Sequence, residues 1–290
     1  MDGVVAPHRV AHGAAQVSAT VHKMTGSGND FVVLDGRVEA LADWPVGRIT
    51  AICDRRTGVG ADGFVLLAPE GPAMVRMHFY NADGSRAAMC GNAALCSTRF
   101  AARVGLAAGE LTLATDAGPI AARTVGEGDL AEIRFGRLEL PRPVPEITLE
   151  PGEREVFFGI VGVPHLVVLV DDVVAVDVDG RGRVLRSHPA LGAAGANANF
   201  VSAPGGPGQP WLIRTFERGV EGETLACGTG TIAAAIGLAA RGHGTLPMTF
   251  RSWGGYPLIV SGQLGASAAD DVWLRGQGRL VFTAELASEG

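Results

Sequence analysis

Short hydrophobic runs that end at glycine, asparagine or aspartate recur along the whole chain. Runs of this length, rich in Val, Ile and Phe, are typical of β-strands separated by turns. In chain order the runs are FVVLDG, FVLLAP, VRMHFYNADG, LTLATDAG, LAEIRFG, REVFFGIVG, HLVVLV, WLIRTFERG, MTFRS, YPLIVSG, DVWLRG and RLVFTAEL. The pattern therefore predicts a protein in which strands outnumber helices.

Helical spacing of apolar residues appears in the segments 46–55, 91–104 and 229–241. The last segment carries no charged residue before Arg241, so a helix there is apolar on every side. Such a helix is enclosed by protein in a folded domain. We therefore expect it to pass through a curved sheet.

The proline-rich stretch 141–153 lies near the middle of the chain and is typical of a linker. Each half contains several predicted strands and one helix of small residues headed by a cysteine, Cys90 or Cys227. Asn81 and Arg218 lie at equal distances before these cysteines, each just after a strand-like run that ends in an aromatic residue. This repeated order predicts an internal duplication and an α/β (α+β) fold with two pseudo-symmetric domains.

The composition is that of a soluble globular protein rich in turns. Of 290 residues, 47% are apolar and 19% charged, and 42 are glycine. The net charge is -6 and the arginines are scattered, so we expect no nucleic-acid partner. The longest apolar run is interrupted by Asp171 and Asp172, so we expect no membrane partner either.

Residues 1–20 lack the basic start and apolar centre of a secretory signal, and we interpret them as a loose tail ahead of the first strand. Four cysteines are too few for a disulfide scaffold. The expected compartment is the reducing cytoplasm, where the thiols stay free.

Two of the cysteines are candidates for chemistry. Cys53 and Cys96 lie inside apolar helix-like segments and fit the role of small buried hydrophobes. Cys90 and Cys227 instead precede predicted helices, where unpaired backbone N–H groups lower a thiol pKa from about 8.5 to roughly 3.5–7.5. The same N–H groups can bind a carboxylate or a phosphate.

Nucleotide binding is disfavoured by the glycine motifs. GVGADG at 58–63 follows a helical pattern and precedes a strand, the reverse of the order in a dinucleotide fold. GTGTIA at 228–233 opens a helix, but no acidic residue lies between Glu223 and Asp270 to hold a ribose, and G-K-[ST] is absent from the sequence.

Pyridoxal and metal chemistry are disfavoured as well. The only lysine in the sequence, Lys23, lies just before the first predicted strand, whereas a pyridoxal enzyme needs a lysine buried in its site. Cys90 and Cys96 are six residues apart and do not share a helix face, and no Cys pair has zinc-like spacing. We therefore expect neither a cofactor nor a metal.

Two catalytic schemes remain. A hydrolase could use one nucleophilic thiol with His165 as base and Glu217 as its partner, which leaves the second cysteine without a role. Alternatively, a carboxylate held by both helix N-termini would place its α-carbon between the two sulfurs. One thiolate could then remove the α-proton while the opposite thiol returns one, inverting the centre.

The chain resembles the diaminopimelate epimerase family from His22 to the C-terminal strand. The resemblance is carried by MTGSGNDFVVLD, CDRRTGVGADG, FYNADGSRAAMCGN, PHLVV, NANFVS and RTFERGVEGETLACGTG. It implies two similar domains, each a barrel-like, mostly antiparallel sheet around a central helix, with the site in the cleft between them. It also implies cofactor-independent interconversion of LL- and meso-diaminopimelate in lysine and peptidoglycan biosynthesis.

The resemblance implies roles for individual residues. Cys90 and Cys227 correspond to the catalytic acid/base thiols, and His165 and Glu217 to the groups that assist them. The substrate carboxylate at the reacting centre would be bound by the backbone N–H groups of Gly91, Asn92, Gly228 and Thr229. The substrate would also be held by the side chains of Asn29, Asn81, Asn197 and Arg218. Turn formation is an alternative role for Asn81 in NADG.

The chain also departs from the family pattern. Val163 stands where the family commonly has asparagine, Gly63 where some members have a substrate-facing glutamine, and Ala93 and Leu95 alter the usual C-G-N-G-x-R-C. Because lost hydrogen-bonding groups change selectivity, a racemase for another amino acid such as histidine is the main alternative. A non-catalytic amino-acid binding module is a third possibility.

The expected domains are an N-terminal one over 21–134 plus 278–290, carrying Cys90, and a C-terminal one over 135–277, carrying Cys227. The expected partner is a small amino-acid substrate, and a homodimer is compatible with this interpretation.

Overall fold

The computed structural model describes residues 19–287. The helices are α1 (Val46–Cys53), α2 (Gly91–Arg103), α3 (Val178–Arg186) and α4 (Gly228–Ala240). The strands are β1 (Thr20–Gly26), β2 (Asn29–Asp35), β3 (Gly63–Gly71), β4 (Met74–Asn81), β5 (Glu110–Thr115), β6 (Gly118–Val125), β7 (Leu130–Glu139), β8 (Arg142–Pro143), β9 (Glu153–Val161), β10 (Val163–Val170), β11 (Asn197–Ser202), β12 (Trp211–Glu217), β13 (Gly222–Thr224), β14 (Met248–Ser252), β15 (Pro257–Leu264), β16 (Ala268–Gln277) and β17 (Arg279–Glu285). The predicted mixed fold of many strands and few helices is confirmed.

The seventeen strands are hydrogen-bonded into one continuous, mostly antiparallel sheet. The parallel pairs are β2 with β3, β4 with β5, β10 with β11, and β12 with β14. Each of these pairs is joined by a crossover that contains a helix, in the order α1, α2, α3 and α4. The sequence of elements in the first half of the chain therefore recurs in the second half. The domain boundaries remain a prediction.

Helices α2 and α4 lie in the core and share one cluster of buried side chains. Small residues allow this close packing. A side chain on Gly26 of β1 would lie 2.6 Å from the backbone oxygen of Asn92, and one on Gly237 of α4 would collide with the buried Phe157 ring of β9. The absence of side chains at these glycines thus lets the sheet wrap closely around both helices.

Three expectations need correction near the first strand and the middle of the chain. Ala19 is fully buried and Thr20 begins β1, so the predicted tail 1–20 is too long by these residues; positions 1–18 lie outside the described residues. Lys23 lies within β1 and pairs with Asp30 at 2.7 Å. The stretch 141–153 contains β8, and its Val144 and Ile147 side chains are buried in a second core cluster with residues such as Leu166 and Phe200. It is therefore not a free linker.

Some elements have sequence patterns too weak to predict. Helix α3, VDGRGRVLR, contains two glycines and several charges, and it is held by the Asp177 side chain at its N-cap and by packing of Val178 and Leu185. Among residues 19–287, no helix is long and apolar enough to cross a membrane.

We expect Gly237→Ala to lower the free energy of unfolding by about 1–3 kcal/mol, because the added methyl group must displace Phe157 in a packed core. The matched control is Gly47→Ala in α1, where a side chain meets nothing within 4 Å. That change should raise the free energy of unfolding by up to about 1 kcal/mol. Parallel urea titrations measure both, and equal stability of the two variants would contradict the proposed packing.

Candidate active site

The N-termini of α2 and α4 face each other in the core. Cys90 and Cys227 are the N-cap residues, both with extended backbone, and neither side chain caps its own helix. The Asn92 Oδ1 atom lies 4.0 Å from the point where a side chain on Gly228 would begin. The first residues of the two helices are therefore neighbours.

Burial raises the pKa of both cysteine thiols. For Cys227 the pKa rises to about 12, mainly through burial and then through the Glu217 carboxylate, while the Thr229 hydroxyl, 3.6 Å from the sulfur, and the Gly230 N–H lower it less. For half-buried Cys90 burial again dominates over the nearby N–H groups of Ala93 and Asn92. The expected lowering of these thiol pKa values is wrong, because desolvation of a thiolate outweighs the N–H groups of the helix terminus.

Glu217 lies at the end of β12, close enough to both thiols for its charge to raise the pKa of each. Burial raises the pKa of Glu217 itself, and the neighbouring Thr224 hydroxyl lowers it less. The raised pKa makes the Glu217 carboxylate a stronger proton acceptor than an exposed carboxylate.

His165 on β10 is completely buried, and burial followed by the charge of Arg218 lowers its pKa to about 3. The ring is therefore neutral at neutral pH. Its Nδ1 atom lies 3.3 Å from Asn199 Nδ2, a group that also donates to the Leu166 carbonyl at 2.9 Å. Since Nδ1 faces a donor, it accepts, and the proton is on Nε2, which has no partner among the described residues. His165 thus presents one free N–H donor.

Asn199 is a site residue that the sequence reasoning missed. It is fully buried on β11, and its Oδ1 atom accepts a hydrogen bond from the Thr215 hydroxyl at 3.0 Å. A side chain on Gly230 of α4 would clash with this Oδ1 atom. The available signal was a run of alternating asparagines, NANFVS, in an otherwise apolar strand.

Asn197 and Arg218 are brought together in the second half. The Asn197 Oδ1 atom accepts from the Arg218 backbone N–H at 2.8 Å, and the guanidinium donates to the Ala194 carbonyl at 3.1 Å. Within residues 19–287 the Arg218 side chain forms no ion pair. Its remaining donors suit a carboxylate.

In the first half, Asn92 Nδ2 donates to Asn29 Oδ1 at 2.7 Å, and Asn29 Nδ2 donates to Asp62 at 3.0 Å. Asp62, a second residue that the sequence reasoning missed, links this pair to Arg55. Asn81 is exposed and forms a turn, with its Nδ2 atom donating to Ser85 at 3.0 Å. The turn role foreseen for Asn81 is therefore present.

The chain was compared with known proteins. The family model described as diaminopimelate epimerase matches residues 21–139 and 157–259. A diaminopimelate epimerase of Gemmatimonas aurantiaca is 45% identical over 278 residues, 91% of this chain and 98% of that protein. One of Flavobacterium psychrophilum is 34% identical over 90% of this chain and 98% of that protein.

Solved structures share the fold. A Bacillus anthracis phenazine biosynthesis protein of the PhzF family matches with a TM-score of 0.68 at 14% identity, covering 93% of this chain and 99% of that one. A probable proline racemase from Agrobacterium radiobacter, solved with bound carbonate, has a TM-score of 0.62 at 18% identity and covers 94% of both chains. Together with the extent of the family match, the sequence relatives establish that this chain belongs to the diaminopimelate epimerase family.

Proposed function

We propose that this protein is a diaminopimelate epimerase, an isomerase that interconverts LL- and meso-2,6-diaminopimelate without a cofactor for lysine and peptidoglycan biosynthesis. Family membership and the relatives named diaminopimelate epimerase support this function. The structural observation that carries the proposal is the pair of cysteines at two facing helix N-termini.

The proposed reaction begins with the carboxylate at the reacting centre bound to the backbone N–H groups of Gly91, Asn92, Gly228 and Thr229. The α-carbon then lies between the sulfurs of Cys90 and Cys227. One thiolate removes the α-proton and becomes a thiol, while the opposite thiol donates its proton to the other face and becomes a thiolate. The negative charge that develops on the carboxylate is stabilised by the positive ends of both helices.

The thiols have to be activated by the substrate complex. Burial favours the neutral thiols and raises the pKa of Cys227 to about 12. The α-ammonium of the substrate brings a positive charge next to both sulfurs, which lowers a thiol pKa. Glu217, buried beside both sulfurs, is our candidate for accepting the first proton, and neutral His165 for donating a hydrogen bond.

The distal end of the substrate would be held by Arg218, Asn81 and Asn197. The Asn29 amide is already bonded to Asp62 and Asn92. Arg218 can pair with the distal carboxylate through two parallel hydrogen bonds. Val163, at the start of β10 and 37% exposed, offers no polar group there. A racemase for another amino acid remains the competing function on account of Val163.

We place the reaction in the cytoplasm as part of this proposal, because both thiols must remain reduced and all four cysteines are free in the structure. The proposed partner is a small amino-acid substrate. Nucleic acid and membrane have no part in the proposal, and a homodimer stays a prediction of the family resemblance.

The substrate is tested by α-proton exchange in deuterated buffer. We expect exchange and inversion with LL- and meso-diaminopimelate and none with histidine, because only the former has a distal carboxylate for Arg218. Mass spectrometry follows deuterium uptake, and chiral chromatography follows inversion. Exchange with histidine but not with diaminopimelate would reject the proposed substrate and keep the two-thiol chemistry.

The two-thiol mechanism is tested by Cys90→Ala and Cys227→Ala. Each change should lower kcat by about 10²–10⁴, the contribution of one general acid or base. Cys53→Ala, which replaces a buried thiol of α1 away from both helix N-termini, is the control and should retain turnover. If either active-site variant keeps wild-type turnover, a mechanism with a single thiol is favoured.

The thiol environments predict an order of alkylation by iodoacetamide at pH 8. Half-buried Cys90 should react first, because Cys227 is buried and a pKa of about 12 leaves only about 10⁻⁴ of it as thiolate. Burial raises the pKa of Cys53 to about 11, so it should also react slowly. Peptide mass mapping over time gives the order, and the rate should rise with pH. Modification of Cys227 before Cys90 would contradict these environments.

A further inference from the structure

A chain of hydrogen bonds with a fixed direction runs from an ionic cluster to the active site. Arg55 donates to Asp30 and Asp62, each at 2.7 Å, and Lys23 pairs with Asp30 at 2.7 Å. Asp62 Oδ2 accepts from the Asp30 backbone N–H at 3.2 Å and from Asn29 Nδ2 at 3.0 Å. The carboxylate of Asp62 is thus held on one side by an arginine and meets the Asn29 amide on the other.

The direction of the chain follows from donor and acceptor chemistry alone. A carboxylate can only accept, so Asn29 must turn its NH₂ group towards Asp62. The Asn29 Oδ1 atom is then left as the acceptor for Asn92 Nδ2, at 2.7 Å. Consequently the Asn92 Oδ1 atom is the free end, and reversing either amide would bring two donors or two acceptors together.

The free end is buried between the two helix N-termini. Asn92 is only 5% exposed, and its Oδ1 atom has no hydrogen-bond partner among the described residues. This atom lies 4.0 Å from the point where a side chain on Gly228 would begin. A lone acceptor therefore lies next to the first residue of α4.

We infer that Asn92 Oδ1 accepts a hydrogen bond from the α-ammonium group at the reacting centre, and that Asp62 is a positioning residue that keeps this oxygen facing the ligand. This inference rests on the proposed function. An α-amino acid presents one acceptor group and one donor group on the same carbon. The helix N–H groups match its carboxylate, and the Asn92 oxygen matches its ammonium. A ligand without the ammonium leaves this buried acceptor unpaired.

The test is a double-mutant cycle with Asp62→Ala, Asn92→Ala and the combined variant. We expect each single change to raise the KM for diaminopimelate by roughly tenfold, with a smaller effect on kcat. The combined variant should be no worse than Asn92→Ala, because Asp62 acts through the oxygen that this change removes. Asp35→Asn, which alters a carboxylate paired with Arg37 at the far end of β2, is the control and should leave KM unchanged.

A second measurement separates orientation from general loss of structure. Pimelate has both carboxylates of the substrate and neither ammonium group, so its inhibition constant should not rise in Asp62→Ala or Asn92→Ala, because these changes remove or release an acceptor that pimelate leaves unpaired. If Asp62→Ala does not fold, Asp62→Asn replaces it. The single amide oxygen of the new side chain must accept from Asn29, Asp30 and Arg55, so we expect a smaller rise in KM. Additive effects of about 100-fold, equal weakening of pimelate, or an unchanged KM would overturn the inference. A wild-type protein that does not turn over diaminopimelate would instead reject the proposed function.

Discussion

Two helices begin inside this protein with neighbouring first residues, and the first N–H groups of each helix have no partner within the helix itself. At an exposed helix start water satisfies such groups, whereas here the N-cap side chains of Cys90 and Cys227 make no capping bond. The acceptor that suits both ends is an anion, and a carboxylate is small enough to meet both. The position of the cysteines follows from this constraint, since an N-cap residue borders the group that binds its helix terminus.

The repeated crossovers are what bring the two termini together. Helix α2 follows β4, and α4 follows the β12–β13 hairpin, so each helix starts near the end of a strand where the chain turns inward. Asn81 closes β4 and Glu217 closes β12, and Glu217 lies close to the cysteines at both helix starts. Glycines allow the helices to pack closely against the sheet. A side chain on Gly228 of α4, for example, would lie 2.7 Å from the Leu274 side chain of β16. The repeated order of elements therefore supplies two similar helix N-termini, and the packing of small residues brings them together.

Three of the four helices in the described residues, most strands and the place of Cys90 and Cys227 before helices could be predicted, because each depends on a local pattern of apolar spacing or on a position before a helix. The thiol pKa values could not be predicted in the same way. Their direction is decided by how much protein surrounds each sulfur, and a helix terminus at the surface and one in the core have the same sequence signature. Asp62 and Asn199 were missed for a related reason: each acts on a residue from another strand, Asn29 or His165, and such pairs are visible only after folding. Helix α3 was missed because tertiary packing of Val178 and Leu185 overrides its glycines.

The two halves keep similar elements but leave opposite polar atoms free. In the first half the Asp62 carboxylate orients two amides so that an acceptor, Asn92 Oδ1, is unpaired. In the second half backbone carbonyls orient Asn199 so that His165 Nδ1 accepts and a donor, the Nε2–H group, is unpaired. Each buried atom without a partner costs about 1–3 kcal/mol, and a pseudo-symmetric protein with no ligand to bind would gain stability by pairing both. A ligand that donates to Asn92 Oδ1 and accepts from His165 Nε2–H removes both costs. A ligand that lacks one of these groups leaves the corresponding protein atom unpaired in the complex. Under the proposed function, the asymmetry of the two networks favours a substrate with different groups at its two faces, although the two helices that carry the proposed catalytic thiols occupy similar places in the two halves.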